Sequence, residues 1–379
     1  MAEAQIAKGL AGVYADYTSV STIIDASNSL TYRGYRVQDL AEFCRFEEVA
    51  YLLWNGELPS ADQLKAFEKE ERSQRNASPA LMNVLKQFRK DAHPMDTLRT
   101  AVSFMGVEDA TWEDQTPEGN LKKSIRMLAQ IPTIIAADFR LRSGKEPIAP
   151  KGDLSLSENF FHMYFGEVPQ KEVVKCFDAS LIFYAEHGFN ASTFAARVIT
   201  STLSDVYSAI TGAIGALKGP LHGGANEAVM HMLLDIKEPS LAQQWIDEAL
   251  LEKKKLVMGF GHRVYKNGDS RVPYMTKVFH EMAKIKNGQK WVEISDTLAK
   301  TMVEKKNIYP NLDFPVGPAY YLMGFEIPIF TPIFVMSRIT GWTAHVMEQL
   351  QDNKIMRPLS LYNGVPERTV PPLEKRKAA

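Results

Sequence analysis

The sequence predicts a mainly α-helical protein of two packed units, with a minor β element near the N-terminus. Three observations predict it. Apolar residues recur at spacings of three and four over most of the chain, and alternation is confined to one short stretch near the start. The chain has 379 residues, more than one ordinary hydrophobic core accommodates. Apolar residues make up 45% and charged residues 23%, the balance of a globular protein.

Taken in order, residues 21–35 read as a short hairpin turning at Asn28. Val37 to Trp54 has the apolar spacing of one amphipathic helix, stopped at Asn55–Gly56. The polar stretches 111–120 and 143–153, with their prolines and glycines, read as loops. Val173 to Glu186 is apolar enough to be a buried helix, and Asn190 then caps a helix from Ala191 to Thr202. Asp205 to Leu217 is rich in small residues, as close helix packing requires, and Gly219–Pro220 ends it. Thr331–Pro332 reads as an N-cap followed by proline at the first helical position, opening a helix to about Leu350.

Composition excludes several classes. The formal net charge is −1, with 44 basic and 45 acidic residues, so no nucleic-acid or membrane-surface partner is expected. Cys44 and Cys176 are the two cysteines, without a CxxC pair, which fits a reducing cytoplasm. Met1 to Thr18 resembles neither a secretory signal nor a transit peptide, and Pro328 and Pro332 interrupt the most apolar C-terminal stretch. No phosphate-cradling P-loop, nucleophile elbow or HExxH zinc pair occurs, and no metal is expected. Gly259–Phe260–Gly261 lacks the third glycine of a dinucleotide fingerprint.

Five segments carry polar residues that a purely structural reading explains poorly when they are taken together. In Lys218 to Glu227, His222 follows a helix stop and precedes a helix, where the dipole disfavours a positive ring. A neutral imidazole there can donate to a developing enolate; a capping histidine in a glycine turn is the plainer reading. In Met258 to Arg271, glycines permit close backbone approach, and His262, Arg263, Lys266 and Arg271 concentrate positive charge suited to carboxylates or phosphates. Without the glycines, a solvated basic loop would explain it. Asp313 is a lone carboxylate in an apolar, proline-stiffened loop, where burial raises its pKa toward that of a general base; an Asx turn or the cap of a helix after Pro318 also accounts for it. Arg338 and His345 share one face of the last apolar helix, beside Trp342. A charge this deep needs a partner or a ligand. His187 sits at the break between two apolar helices, and a satisfied core histidine explains it as well as a ligand contact does.

Together these segments resemble the citrate synthase family. The carrying stretches are LTYRGY (30–35), AEHGFNAST (185–193), GPLHGGANEA (219–228), MGFGHRVYK (258–266), PNLDF (310–314) and FTPIFVMSRITGW with MRP (330–358). The resemblance implies a mostly helical homodimer. Each subunit would have a large domain from residues 1–221 and 321–379 and a small domain from 222–320. It implies a Claisen-type condensation of acetyl-CoA with oxaloacetate, giving citrate and CoA, with no cofactor beyond the substrate CoA. Asp313 would remove the methyl proton, His222 would stabilise the enol or enolate, and His262 would protonate the oxaloacetate carbonyl. His187, Arg271 and Arg338 match positions that hold oxaloacetate, and Arg357 matches an arginine reaching across from the partner subunit. Leu256, Val257, Met258, Gly259, Gly261 and Lys266 would cradle CoA. The family often has Asp-Pro-Arg where this chain has Asp269-Ser270-Arg271, which implies a less stiff loop. The extra N-terminal region of the longer, NADH-inhibited hexameric members is absent, so no NADH site is expected. AHPMD (92–96), AEHGFNASTF (185–194) and QDNKIMRP (351–358) also resemble 2-methylcitrate synthases, which use propionyl-CoA. One methylene is worth about 1–3 kcal/mol of discrimination, so use of both acyl groups is a second expectation.

Overall fold

The computed structural model describes residues 6–252, 256–262, 264, 265 and 268–376, which form sixteen α-helices and one three-stranded sheet. The sheet comes first, as β1 (Ser21–Ile24), β2 (Ser29–Tyr32) and β3 (Tyr35–Arg36). Helices α1 (Val37–Phe43), α2 (Phe46–Asn55), α3 (Ala61–Ser73), α4 (Pro79–Gln87), α5 (Pro94–Glu108) and α6 (Pro117–Arg142) follow. Next come α7 (Leu156–Phe165), α8 (Lys171–Tyr184), α9 (Ala191–Ser201), α10 (Val206–Leu217) and α11 (Ala225–Ile236). The last are α12 (Pro239–Glu252), α13 (Val272–Ile285), α14 (Gln289–Lys306), α15 (Asp313–Met323) and α16 (Phe330–Gln351).

The mostly helical expectation holds, and so does the early β element. The strands pair antiparallel in the order β1-β2-β3, with Ser21 opposite Tyr32 and Ile24 opposite Ser29. Asn28 lies at the turn with a left-handed φ of 43°, which asparagine tolerates better than most residues. Side-chain caps begin α3, α4, α5, α6, α7, α9 and α10. Asn190 accepts from Thr193 N–H (3.1 Å), as its sequence position suggests, and Asp205 accepts from Ser208 N–H (3.0 Å).

Three boundaries differ from expectation, two of them through a tertiary contact. The single helix expected over 37–54 is two, because Cys44 and Arg45 are extended and Asp178 of α8 takes the Phe46 N–H at 2.9 Å. The loop expected over 111–120 ends early, since Thr116 caps α6 and Pro117 occupies its first turn. Thr331 is not a cap: α16 opens at Phe330, off a short 3₁₀ turn (Ile327–Ile329), and the Thr331 hydroxyl bonds Glu227 of α11 instead.

Helices α6 and α16 form the centre. Each is buried all round over long stretches, Ser124 to Asp138 without Arg126 in one and Phe330 to Val346 in the other. They pack on each other, and α16 also meets α8, α9 and α10. Because α16 is surrounded, any charge on it is desolvated, and Arg338 is 2% exposed. Among the described residues no helix is long and apolar enough to cross a membrane.

Candidate active site

The connection between α8 and α9 supplies the first candidate residue. The last carbonyls of a helix lack intrahelical donors. Here the Tyr32 hydroxyl of β2 lies 3.0 Å from both the Ile182 and Glu186 carbonyls, so the sheet fixes where α8 ends. His187 follows. Its Nε2 is buried without a partner among the described residues, which is costly unless a ligand fills the role. Its ring stands 4.9 Å, centroid to centroid, from that of His262. Burial, Arg271 and His262 together hold its pKa well below the usual histidine value, so the ring is neutral.

Two guanidinium groups face this loop, in different electrical states. Arg271, at the start of α13, is forked onto Asp269, with Nε to Oδ1 at 2.9 Å and Nη2 to Oδ2 at 2.7 Å. Asp269 Oδ2 also accepts Leu312 N–H at 3.1 Å. This ion pair stiffens the Asp269–Arg271 stretch. Burial alone would lower the Arg271 pKa, but Asp269 outweighs it and raises it. Arg338 has no such partner. It donates Nε–H to the Tyr184 carbonyl and lies 4.6 Å above the Phe334 ring, and no carboxylate pairs with it among the described residues. Burial pulls its pKa down to about 10, against the opposing influence of Glu186.

His222 lies in the turn between α10 and α11. Gly223 makes this turn possible, since a Cβ there would come within 2.6 Å of the Leu217 carbonyl. The imidazole Nε2 lies 3.3 Å from Ser192 N and 2.8 Å from Ser192 Oγ. A backbone N–H can only donate, so Nε2 accepts and the ring proton resides on Nδ1. Ser192 is itself held by Trp342 Nε1–H at 3.0 Å. The ring is neutral, as its position suggested, yet the causes differ from the helix dipole. Burial comes first and Arg338 second, bringing its pKa down to about 4.

His262 and Asp313 sit on two segments stitched together. Gly261 N–H donates to the Tyr309 carbonyl and Asn311 N–H to the Gly259 carbonyl, both at 2.8 Å. Gly259 has φ 80°, and a Cβ there would lie 2.7 Å from Val229 and 2.9 Å from Phe314. Both conditions demand glycine. His262 Nδ1 accepts Val264 N–H at 3.1 Å, so its proton is on Nε2. Burial and then Arg271 bring its pKa to about 4.

Asp313 is the first residue of α15, rather than part of a loop. Its Oδ1 accepts the Tyr184 hydroxyl at 2.6 Å, and Asn226 Nδ2 lies 3.4 Å from that hydroxyl. Asp313 is half-buried. Burial therefore raises its pKa to about 6, against the Tyr184 hydrogen bond.

His187, His262, Arg271 and Arg338 thus converge, with Asp313 and His222 inside the same electrostatic field. Gly259 and Gly261 lead into His262, with Val257 and Met258 packed on the core and Leu256 exposed. Lys266 and Arg263 lie outside the described residues. Arg357 does not join the cluster within this chain; it is exposed on the extended stretch after α16. Tyr184, Ser192, Asn226 and Asp269 were not singled out from the sequence. Tyr184 and Asn226 occupy ordinary buried helix positions there, so nothing local marked them.

Comparison with known proteins identifies the family. The family model described as "Citrate synthase, C-terminal domain" matches residues 9–359. The chain is 56% identical over 366 residues to a citrate synthase of Mycolicibacterium smegmatis, covering 97% of each protein. It is 55% identical over 366 residues to the 2-methylcitrate synthase of Mycobacterium tuberculosis H37Rv, covering 97% of this chain and 92% of that one. Among solved structures, the citrate synthase of Thermoplasma acidophilum, in ternary complex with carboxymethyl coenzyme A and oxaloacetate, superposes with a TM-score of 0.94. That match has 32% identity and covers 98% of this chain and 100% of the other. The chain is a member of the citrate synthase family.

Proposed function

We propose that this protein condenses acetyl-CoA with oxaloacetate to give citrate and CoA, as an entry step of the tricarboxylic acid cycle. One observation carries the reading: two half-buried imidazoles are neutral, and each has one nitrogen occupied by a backbone N–H, leaving a proton on the other. Neutral N–H donors beside a carboxylate of raised pKa suit the enolisation of a thioester. Asp313 takes the methyl proton while His222 Nδ1–H bonds the thioester oxygen. His262 Nε2–H then protonates the oxaloacetate carbonyl as the new carbon–carbon bond forms, and hydrolysis of the resulting thioester releases CoA. Arg271, Arg338 and His187 Nε2 hold the two oxaloacetate carboxylates. No further cofactor enters the reaction.

Several features support the accompanying expectations. Helices α11 to α15 pack extensively on one another, consistent with a small domain over 222–320 and a large domain from both ends of the chain. The exposed stretch beyond α16 carries Ile355, Leu359, Leu361 and Tyr362, apolar groups that suit contact with a second copy. In such a homodimer Arg357 completes the partner's oxaloacetate site. The unpaired Cys44 and Cys176 suit a reducing cytoplasm.

Propionyl-CoA is a second acyl donor on this reading, since relatives above 50% identity carry both names. The test is CoA release with a thiol reagent, oxaloacetate and each acyl-CoA in turn. A propionyl-CoA kcat/KM below about one thousandth of the acetyl-CoA value excludes dual use, because one methylene cannot discriminate so strongly. A higher value for propionyl-CoA makes the protein a 2-methylcitrate synthase. Absence of release with either leaves a CoA-binding relative without the reaction.

The Asp313 carboxyl sets the pH dependence. Its pKa is raised to about 6, and the base must be ionised, so kcat/KM for acyl-CoA is flat above that value. Below it, the rate falls tenfold per pH unit. His222 and His262, at about 4, stay neutral throughout this range. The Tyr184 hydrogen bond lowers the Asp313 pKa, so Tyr184→Phe moves the midpoint upward. A pH profile unmoved by that change would detach the acidic limb from Asp313.

A further inference from the structure

Beneath the candidate site, a chain of buried polar groups runs from the N-terminal segment to the turn that carries His187. The proposed reaction uses none of them. His345 of α16 is fully buried, with Nε2 at 2.8 Å from Glu186 Oε1. Its Nδ1 lies 3.2 Å from Arg197 Nη1 of α9 and 3.6 Å from Glu348 Oε2. Burial opposes a second proton on the ring, while Glu186 favours one and prevails. In either charge state Nε2–H donates to Glu186. Arg197 is 1% exposed and bonds Glu348 at 2.8 Å and Asp16 at 3.1 Å. Glu348 in turn accepts Ser19 N–H at 2.7 Å.

Glu186 is the hub of this chain. The same Oε1 accepts the Ser21 hydroxyl at 2.9 Å and the backbone N–H of Gly188. Ser21 Oγ also lies 3.0 Å from Gly188 N. Glu186 and Gly188 are the two chain neighbours of His187, so one carboxylate oxygen ties the backbone on both sides of that ring. Gly188 adopts φ 58°, a conformation a side chain would strain. Gly341 of α16 completes the arrangement, because a Cβ there would collide with the Ala185 carbonyl and Glu186 Oε2.

We propose that His345 is a positioning residue for oxaloacetate binding: by holding Glu186, it fixes the Glu186–Gly188 turn and so aims the His187 ring into the site. This rests on the function proposed above. It predicts a defect confined to one substrate, since His187 faces Arg271 and His262, whereas among the described residues no hydrogen bond links the acyl-CoA strip at 256–261 to the chain from Asp16 to Glu186.

The test compares His345→Leu, His345→Gln and Ser21→Ala in the full-length chain. Oxaloacetate affinity is read by calorimetry, and KM for both substrates from CoA release. His345→Leu should weaken oxaloacetate binding about tenfold and leave KM for acyl-CoA within about twofold. Glutamine retains an N–H for Glu186, so His345→Gln should recover most of that loss. Ser21→Ala removes a second anchor of the same turn and should weaken oxaloacetate binding about threefold. A folded His345→Leu chain with unchanged oxaloacetate affinity overturns the proposal. Equal losses for both substrates without rescue by glutamine also overturn it, since His345 is then only a core residue. Should His345→Leu not fold, Ser21→Ala decides, and an unchanged affinity there is fatal. A wild-type chain that binds no oxaloacetate overturns the functional reading itself.

Discussion

Replacing Asp313 by asparagine is expected to lower turnover about 1,000-fold while leaving oxaloacetate binding within about twofold of wild type. The amide has the shape of the carboxylate, and its oxygen still accepts the Tyr184 hydroxyl, so the start of α15 stays in place. What it lacks is basicity. The native carboxyl, raised to about 6 by burial, is a stronger base than an ordinary aspartate yet remains ionised at neutral pH. His222 cannot substitute for it. Its Nε2 is occupied by Ser192, and its pKa of about 4 leaves little appetite for a proton. The measurement is single-turnover CoA release alongside oxaloacetate calorimetry. Retention of a tenth of wild-type turnover would remove Asp313 from the role of base.

The second large effect separates binding from stability. Arg338→Met is expected to weaken oxaloacetate binding 100-fold or more, because a charged hydrogen-bonding partner contributes about 1.5–3 kcal/mol and a bidentate contact more. The same change should leave the melting temperature of the ligand-free chain unchanged or higher. Arg338 is 2% exposed and has no paired carboxylate among the described residues, so its charge is desolvated without full compensation. The fall of its pKa to about 10 expresses that cost: the buried guanidinium holds its proton less firmly than the same group does when exposed to water. Removing a buried, incompletely paired ion in favour of an apolar side chain of similar length is often neutral or stabilising. Methionine also keeps contact with the Phe334 ring. Thermal melts with and without oxaloacetate test both halves: the variant should lose the ligand-induced rise while keeping its own melting point. An affinity within threefold of wild type would show that Arg338 does not hold the substrate.

Arg271 gives the instructive contrast. It is as buried as Arg338, but Asp269 neutralises it, so its loss should destabilise the chain by leaving a buried carboxylate unpaired. Two arginines that look alike in sequence therefore differ in the folded protein, one as a member of an ion pair and the other as a cation awaiting an anion.

The sequence by itself determined the mostly helical class, the early hairpin and the helix cap at Asn190. It could do so because these depend on local physics: apolar periodicity, a side chain capping the next turn, or a glycine where the backbone must turn left-handed. Tertiary structure alone decided which groups surround each candidate, and hence its protonation. The break at Cys44–Arg45 needed Asp178 from a distant helix, and the start of α16 needed Glu227. The proton on His222 Nδ1 follows from Ser192, and the raised Asp313 pKa follows from enclosure that Tyr184 partly offsets. Tyr184 and Glu186 carry no local signal, because a buried helix residue and a loop glutamate acquire meaning only from what folding places against them. Desolvation and pairing are properties of a volume of space, and a linear chain does not contain that volume until it folds.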